Sequence, residues 1–584
     1  MIETDVLIVG SGPAGSSAAL ALATYGVRCM LATKYRWLAD TPRAHITNQR
    51  TMEVLRDLGV EDEAIAKSSA QDLMGNNVFC TSLAGEELGR LHSWGTHPNR
   101  RADYTLASPT AICDIPQDLL EPILLGAAAK RGARVRFDTE YLSLEQDANG
   151  VTALVRDRIS GVEYKVRAKY LIGADGGKSK VAEDIGLPFE GRMGVAGSLN
   201  IVFSADLTRY AAKRPSVLYW VLQPGSNIGG IGMGVVRMVR PWTEWLAIWG
   251  YDINEPAPIV DDALATRVVH SLIGDSAIPV TIRSTSLWTV NHMWAKRYSV
   301  GRAFCMGDAV HRHPPSNGLG SNTSIQDAFN LAWKLAFVLQ GKAEPALLDS
   351  YERERAPIGE QIVKRANKSI EEFGPIFEAL GLLSTNDPEQ MRVNMEARKE
   401  NTPEAEQRRE RLRKAILYKS YEFNCHGVEL NQRYVSGAVA PDGSPEAEWR
   451  RDRELYYQAT TRPGAKLPHV WLERDGVKVS TLDIVGKGRF TLLTGIAGED
   501  IWREAAATTA SDLGVPLEAI VIGPGRAYHD LYGDWADARE VPESGCLLVR
   551  PDGYVAWRAF SGEDAAKRLT AAHSAILHGT AGAA

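Results

Sequence analysis

The chain of 584 residues is several times longer than the ~150 residues of a typical domain, so several domains are expected. Its apolar (44%) and charged (24%) fractions are ordinary globular values, which excludes a wholly disordered, collagen-like or coiled-coil chain. The net charge of −6 comes from 66 basic and 72 acidic residues mixed along the sequence, and no basic footprint for nucleic acid is visible.

The sequence gives no sign of membrane insertion or secretion. No apolar run approaches the ~18–20 residues that span a bilayer, and the chain opens with Glu3 and Asp5 rather than with basic residues. The six cysteines include no Cys-x-x-Cys pair, which disfavours a zinc knuckle and favours reduced thiols. We therefore expect a cytoplasmic protein that binds neither nucleic acid nor a membrane.

The first 35 residues carry the clearest local pattern. An apolar strand, Asp5–Val9, leads into a glycine-rich turn, a small-residue helix at Ser16–Tyr25 and a second strand at Val27–Ala32. This unit contains G-x-G-x-x-G, the dinucleotide-binding fingerprint, in which the helix N-terminus faces a pyrophosphate. The cofactor-binding residues predicted in this turn are Gly10, Gly12, Pro13, Ala14 and Gly15.

The identity of the dinucleotide does not follow from this motif alone. An acidic residue for the ribose usually lies ~20 residues further on, but Thr33 and Lys34 occupy that position. Read locally, the lysine indicates a 2′-phosphate and NADP.

Helical patterns follow in the rest of the first 185 residues. Thr47 or Asn48 can cap a helix that runs to Leu58, and Gln117–Arg131 reads as a helix that ends at a glycine. A strand then runs into an Asp-Gly turn at Asp175, which is the second motif of the chain.

The third motif lies between a strand at Ala303–Met306 and a helix at Ile325–Leu339. It places Gly307 and Asp308 at the end of the strand, and a glycine-punctuated loop follows. His311 and His313 in this loop could be interpreted as a pair of metal ligands. The neighbouring prolines and glycines fit a cofactor loop better, so we expect no metal. A further glycine cluster, Gly229–Gly234, precedes no helical pattern and reads as a turn or bulge.

The remaining patterns set the domain organisation. Residues 186–290 are rich in strands and aromatic side chains, and residues 350–420 are charged and helical with a solvated face. A polar, Pro/Gly-bearing stretch at 435–465 indicates a boundary before a small α/β domain. The predicted segments are 1–185 and 286–370 (cofactor domain), 186–285 (β-rich substrate domain), 371–450 (helical linker) and 451–584 (C-terminal domain).

The three motifs, in this order and at these separations, resemble the single-component FAD-dependent aromatic hydroxylases. The segments Pro42–Leu58 and Asp308–Leu339 are most similar to the phenol and 2,4-dichlorophenol hydroxylase branch, and the resemblance covers essentially the whole chain. It implies a mixed α/β fold with a Rossmann-like FAD domain of the p-hydroxybenzoate-hydroxylase type. It also implies a β-rich substrate domain, a thioredoxin-like C-terminal domain, FAD as cofactor and NADPH or NADH as co-substrate.

The resemblance implies further residues that contact the flavin, and the chemistry of the third motif suits this role. Asp308 can accept a hydrogen bond from a ribityl hydroxyl, and the positive end of the helix beginning near Thr323 favours an anionic reduced flavin. Lys178 stands where the second motif usually has an arginine, so nicotinamide docking there is less certain. The implied cofactor residues are Arg43, Gln117, Asp175, Gly307, Asp308, Pro315, Gly318, Gly320, Ser321 and Asn322.

The implied reaction is ortho-hydroxylation of a phenol, such as a chlorophenol, to a catechol by a flavin C4a-hydroperoxide formed with O₂. A phenol with a pKa near 10 is barely ionised at neutral pH, so a base is useful. Phenol hydroxylases have an aspartate two residues after the loop arginine, which is Arg43 here, and His45 occupies that position. His45 is our candidate base, and the alternative is that it only orders the loop. Arg43 is the second candidate catalytic residue. Trp220, Trp249 and Pro314 are candidate substrate contacts, with core packing as the alternative.

Other functions are kept open. The main rival is a hydroxylase of a larger polycyclic or polyketide phenol, and another is a flavin-binding redox protein without oxygenase chemistry. A flavin halogenase is disfavoured because the Trp-x-Trp-x-Ile-Pro motif is absent. The C-terminal domain lacks Cys-x-x-Cys, so we expect a packing or dimer-contact role for it and a homo-oligomer, dimeric or tetrameric.

Overall fold

A computed structural model describes residues 1–225 and 234–582. It confirms the mixed α/β fold class, with three main sheets and helices packed around them. The predicted turn at Gly229–Gly234 lies outside the described residues except for Gly234.

The first sheet carries the glycine-rich turn. Its central strand, Ile2–Val9, pairs in parallel with Cys29–Ala32 on one side and with Glu163–Gly173 on the other. The second half of this strand, Val6–Val9, is a continuous apolar run rather than an alternating one, because both of its faces are covered. The strands in spatial order are Ser299–Val300, Ala303–Cys305, Glu163–Gly173, Ile2–Val9, Cys29–Ala32 and Arg134–Arg136, with Thr139–Asp147 and Gly150–Asp157 extending from Glu163–Gly173.

The second sheet forms the β-rich layer. Its strands in order are His311–Arg312, Thr281–Ala295, Phe189–Ser204, Glu244–Tyr251, Gly234–Arg240, Leu218–Val221, Asn76–Cys80 and Glu87–His92. The last two strands come from the predicted cofactor segment 1–185, so that segment contributes to both sheets. Hydrophobic burial explains this, because Val78 and Phe79 are fully enclosed in the core of the second sheet.

The C-terminal unit has its own sheet and core. Phe490–Thr494 pairs in parallel with Leu517–Val521 and antiparallel with Cys546–Val549, which pairs with Val555–Ala559. Two helices, Glu499–Leu513 and Ala565–Leu577, pack together beside this sheet. Smaller ladders join Trp471–Arg474 to Val477–Ser480 and Ile46–Thr47 to Cys113–Asp114.

The helices begin and end close to the predicted positions, with two differences. Asn48 rather than Thr47 is the N-cap of Gln49–Asp57, since its side chain accepts a bond from the Thr51 amide. The predicted helix Ile325–Leu339 begins earlier, at Gly320, so the helix N-terminus lies inside the glycine loop.

The segment predicted as a linker is packed rather than free. Its helices Gly374–Leu380, Pro388–Glu396 and Pro403–Tyr418 bury apolar side chains in the core of the second sheet. The domain boundaries themselves stay a prediction. The other helices are Pro13–Thr24, Glu61–Lys67, Pro98–Ala107, Gln117–Lys130, Lys180–Asp184, Thr208–Ala211, Asp262–Ile273, Asp349–Glu371, Ser420–Phe423, His426–Leu430, Thr481–Ile484 and Asp534–Ala538. Among the described residues, no helix has the length and apolarity needed to cross a bilayer.

Candidate active site

The glycine-rich turn has the shape of an anion site. Gly10 has φ +106°, and a Cβ there would lie 2.2 Å from the carbonyl oxygen of Ala174. A Cβ on Gly15 would lie 2.0 Å from the carbonyl oxygen of Gly10, so both positions require glycine for packing. A Cβ on Gly12 would meet only the Glu121 carboxylate, 4.0 Å away, so this side of the turn is open. The open side lies at the N-terminus of Pro13–Thr24, as a pyrophosphate requires.

The third motif packs directly against this turn. A Cβ on Gly307 would lie 3.1 Å from the Cβ of Ala14, so the strand end that carries Asp308 adjoins the first motif. The side chain of Asp308 is exposed and available to a ligand hydroxyl. Thr33 is buried beside the turn and accepts a hydrogen bond from Ser11 Oγ at 3.1 Å, while Lys34 is exposed.

A buried carboxylate fixes the Gly307 turn. Asp327 Oδ2 accepts hydrogen bonds from the Gly307 amide (3.2 Å) and from His311 Nε2 (2.9 Å). Asp327 Oδ1 accepts a bond from Arg355 Nε at 2.7 Å, and this group is fully buried. His311 is therefore paired with a carboxylate, and no group of three potential metal ligands occurs in residues 1–225 and 234–582. Sequence reasoning missed Asp327, although an acidic residue inside the apolar stretch Ile325–Leu339 was a usable signal.

The glycine loop is tied to the chain around His45. Asn322 Nδ2 donates to the Ile46 carbonyl (2.8 Å), and its Oδ1 accepts from the Asn48 amide (2.9 Å). The side chain of Asn322 therefore joins two loops. Gly318 has φ +64°, Gly320 is the first residue of the long helix and Ser321 follows it, so backbone N–H groups point out of the loop at this end. Pro315 in the same loop is exposed, and Pro314 is buried.

Gln117 and Asp175 each have partners within the protein. The Gln117 amide donates to the Ala44 carbonyl at 2.8 Å, and its side chain donates to Glu121 Oε1 at 2.6 Å. Glu121 Oε2 accepts from the Ala39 amide at 2.8 Å, so this carboxylate, missed in the sequence, holds the loop that leads to Arg43. Asp175 accepts from the Lys180 and Val181 amides (2.8 and 3.1 Å), which places its carboxylate at the start of a short helix.

His45 is held beside a buried carboxylate. The ladder between Ile46–Thr47 and Cys113–Asp114 brings His45 Nδ1 within 2.7 Å of Asp114 Oδ1. Burial and the nearby Arg237 charge lower the pKa of His45 to about 4, although Asp114 opposes this shift. Burial alone would raise the pKa of Asp114, but the His45 bond and the Arg237 charge lower it below its usual value. His45 is therefore neutral at pH 7, with Nδ1–H donating to Asp114 and Nε2 left as an acceptor.

Arg237 faces the same loop. It is 2% exposed, and its Nη1 donates to the carbonyls of Pro42 and Arg43. Burial lowers the pKa of Arg237 to about 10, so the side chain is still a cation at pH 7. Its Nε and Nη2 are buried and have no hydrogen-bond partner within residues 1–225 and 234–582, which is costly unless a ligand accepts from them. The signal missed in the sequence was an arginine within the apolar strand Gly234–Arg240. The side chain of Arg43, in contrast, is exposed and donates to Thr41.

The two candidate tryptophans lie on opposite faces of the second sheet. Trp220 pairs with Val235 and Leu218 with Arg237, so Trp220 shares the face that carries Arg237. Trp249 pairs with Gly234, on the face covered by the helix Asp262–Ile273. Trp249 is therefore not part of the pocket that we propose below.

The chain is similar to known protein families and to known enzymes over most of its length. A family model described as "FAD binding domain" matches residues 3–366, and one described as "Aromatic-ring hydroxylase, C-terminal" matches residues 460–580. The chain is 60% identical to a 2,4-dichlorophenol 6-monooxygenase of Delftia acidovorans, covering 98% of this chain and 99% of the relative. It is 52% identical to a phenol 2-monooxygenase of Pseudomonas sp. (strain EST1001), and the match covers 96% of this chain and 90% of the relative. The crystal structure of the flavin-dependent monooxygenase PieE with FAD and substrate is 46% identical, covers 99% of both chains and superposes with a TM-score of 0.94.

Proposed function

Because this chain belongs to the FAD-dependent aromatic-ring hydroxylases, we propose that it converts a phenol, with a chlorophenol as the favoured class, to a catechol. The balanced reaction consumes the phenol, O₂, NADPH or NADH and a proton, and it yields the catechol, the oxidised nucleotide and water. The single observation that carries the choice of a phenol is the neutral His45, paired with Asp114 and close to the buried Arg237 cation, whose Nε and Nη2 have no hydrogen-bond partner among the described residues.

The residues of the first and third motifs fit FAD. The open side of Gly12 accommodates the pyrophosphate at a helix N-terminus, and the exposed Asp308 is available to the ribityl chain. Backbone N–H groups between Gly318 and Ser321 would face the ring system of FAD. FAD, when bound and reduced by the nucleotide, supplies the oxygen-transfer chemistry.

Substrate ionisation is the step that the protein itself controls. With a phenol pKa near 10 and the pKa of His45 at about 4, transfer of the proton to His45 alone would cost about 8 kcal/mol. The buried N–H groups of Arg237 offset part of this cost by donating to the phenolate oxygen, since hydrogen bonds to charged groups are the stronger class. The stabilisation of the protonated imidazole by Asp114 is already contained in the pKa of His45, and without Asp114 the cost would be larger.

This energy balance favours chlorophenols over phenol. An electron-withdrawing chlorine lowers the pKa of the ring hydroxyl, which reduces the cost of proton transfer that the Arg237 hydrogen bonds must offset. The resulting phenolate is electron-rich at its ortho carbon, where the oxygen atom is added.

The test is substrate-dependent NADPH oxidation by the FAD-loaded enzyme, with the product identified by mass spectrometry. With 2,4-dichlorophenol we expect stimulated oxidation and a product one oxygen atom heavier. Stimulated oxidation that yields only hydrogen peroxide would refute this phenol as substrate, and the absence of any stimulation by phenols would refute the proposed function.

The choice of reductant and the oligomeric state are proposed from the resemblance to the family, and not from the geometry of the site. NADPH or NADH is proposed as reductant because the family uses these nucleotides, and comparing the rates with each distinguishes them. The homo-oligomeric state, dimer or tetramer, stays a prediction that light scattering of the purified protein tests.

A further inference from the structure

Four aromatic side chains form a cluster on the sheet beside Arg237. The ring centroid of Trp220 lies 4.7 Å from that of Phe373, 5.9 Å from that of Phe423 and 6.5 Å from that of Phe79. We refer to Phe79, Trp220, Phe373 and Phe423 as the aromatic cluster.

The strand register places this cluster next to the proposed substrate position. Trp220 lies opposite Val235, and Val235 is two residues from Arg237 on the same strand face. Two residues along a strand span about 7 Å. Trp220 and Arg237 are therefore diagonal neighbours on the same face of the sheet.

The cluster also borders the glycine loop. Asn317 Nδ2 donates to the carbonyls of Tyr421 (2.8 Å) and Glu422 (3.2 Å), immediately before Phe423. Asn317 Oδ1 accepts from Ser369 Oγ (2.8 Å), near the end of the helix that precedes Phe373. The two segments that carry the phenylalanines are thus attached to the loop that approaches the flavin ring.

Three members of the cluster are buried, and Trp220 is its accessible member. Phe79, Phe373 and Phe423 are at most 4% exposed, while Trp220 is only partly buried. The indole Nε1 of Trp220 donates to Asn77 Oδ1 at 2.9 Å, which fixes the orientation of the ring. A ligand that extended beyond one ring in this direction would meet an immobile indole.

We propose that the aromatic cluster limits the substrate to phenols with a single ring, and that Trp220 is the residue that determines this limit. The inference rests on the proposed function and names the substrate class of the same site.

The experiment compares 2,4-dichlorophenol with 1-naphthol in the wild-type protein and in the Trp220→Ala and Phe373→Ala variants. Turnover is measured as catechol formed, and binding as the change in the fluorescence of bound flavin. We expect the ratio of kcat/KM for 1-naphthol to that for 2,4-dichlorophenol to rise about tenfold or more in both variants, as steric discrimination of this kind allows. Trp220→Phe should give an intermediate ratio. This variant also tests the proposal if the alanine variant fails to fold.

Trp249→Ala is the matched control, because it truncates the same residue type on the opposite face of the same sheet. Its substrate ratio should equal that of the wild-type enzyme. An unchanged ratio in both cluster variants, or an equal change in Trp249→Ala, would overturn the inference. Wild-type turnover of 2,4-dichlorophenol tests the proposed function separately, and 1-naphthol binding reports on the cluster even if no phenol is hydroxylated.

Discussion

Replacement of Arg237 by methionine removes the cation that we assign to the phenolate. Two of its nitrogens are buried without a partner in the described part of the chain, and hydrogen bonds to a charged group contribute about 1.5–3 kcal/mol each in net terms. Loss of one such bond to the phenolate raises the pKa of the bound phenol by about one to two units, since 1.36 kcal/mol corresponds to one unit. We therefore expect kcat/KM for 2,4-dichlorophenol to fall by about 10- to 150-fold at pH 7.

The assay is steady-state NADPH oxidation coupled to catechol detection, repeated from pH 6 to pH 9. The deficit should shrink as pH rises, because the free phenol then ionises without help. Arg240→Met is the control on the same strand: Arg240 is half-exposed and pairs with Glu244 at 3.3 Å, so its loss should leave kcat/KM within twofold. A pH-independent deficit in Arg237→Met, or an equal loss in the control, would refute a role in ionising the substrate.

Three further predictions concern the neighbours of this site and the C-terminal unit. Asp114→Asn retains a hydrogen-bond acceptor for His45 but removes the charge that raises the pKa of His45, so kcat/KM should fall about tenfold; an unchanged value would contradict the pairing. Because the pKa of folded His45 is about 4 and the ordinary value is 6.5, the folded protein binds this proton later than the unfolded chain on acidification. The plot of kcat/KM against pH should therefore lack a histidine inflection near pH 6.5, whereas the stability contributed by neutral His45 declines as pH falls from 6.5 towards 4. Arg550→Met leaves the buried Glu354 without its guanidinium partner and should lower the free energy of unfolding by about 3–5 kcal/mol in urea titrations, while the exposed Arg568→Met should change it by less than about 0.5 kcal/mol.

The parts of this fold that depend on local pattern were predictable. The strand–turn–helix at Gly10–Gly15 has steric requirements that only glycine meets, so its signature is present in the sequence itself. Asn48 and the glycine at the end of its helix are similar local signals. His45 could be named because its position relative to Arg43 matches a family pattern.

The rest depends on contacts between distant segments. Asp114 lies 69 residues from His45, and Arg237 reaches the Pro42 carbonyl across 195 residues, so no periodicity connects them. In the sequence, Trp220 and Trp249 are both aromatic residues in predicted strands, and nothing distinguishes them. Only the strand register shows that Trp249 lies on the face opposite to the pocket that we propose. The packing of 374–418 on the second sheet was likewise invisible, since a charged helical sequence does not show which neighbour covers its apolar side.

The most direct test of the central claim is the ionisation state of a bound phenol. The difference absorption spectrum of 4-nitrophenol in complex with the oxidised, FAD-loaded enzyme is titrated against pH without NADPH, so that no turnover occurs. If Arg237 and the His45–Asp114 pair promote ionisation, the pKa of the bound phenol lies at least one unit below that of the free phenol, and Arg237→Met abolishes this shift. A bound phenol that titrates like the free phenol in both proteins would contradict the account.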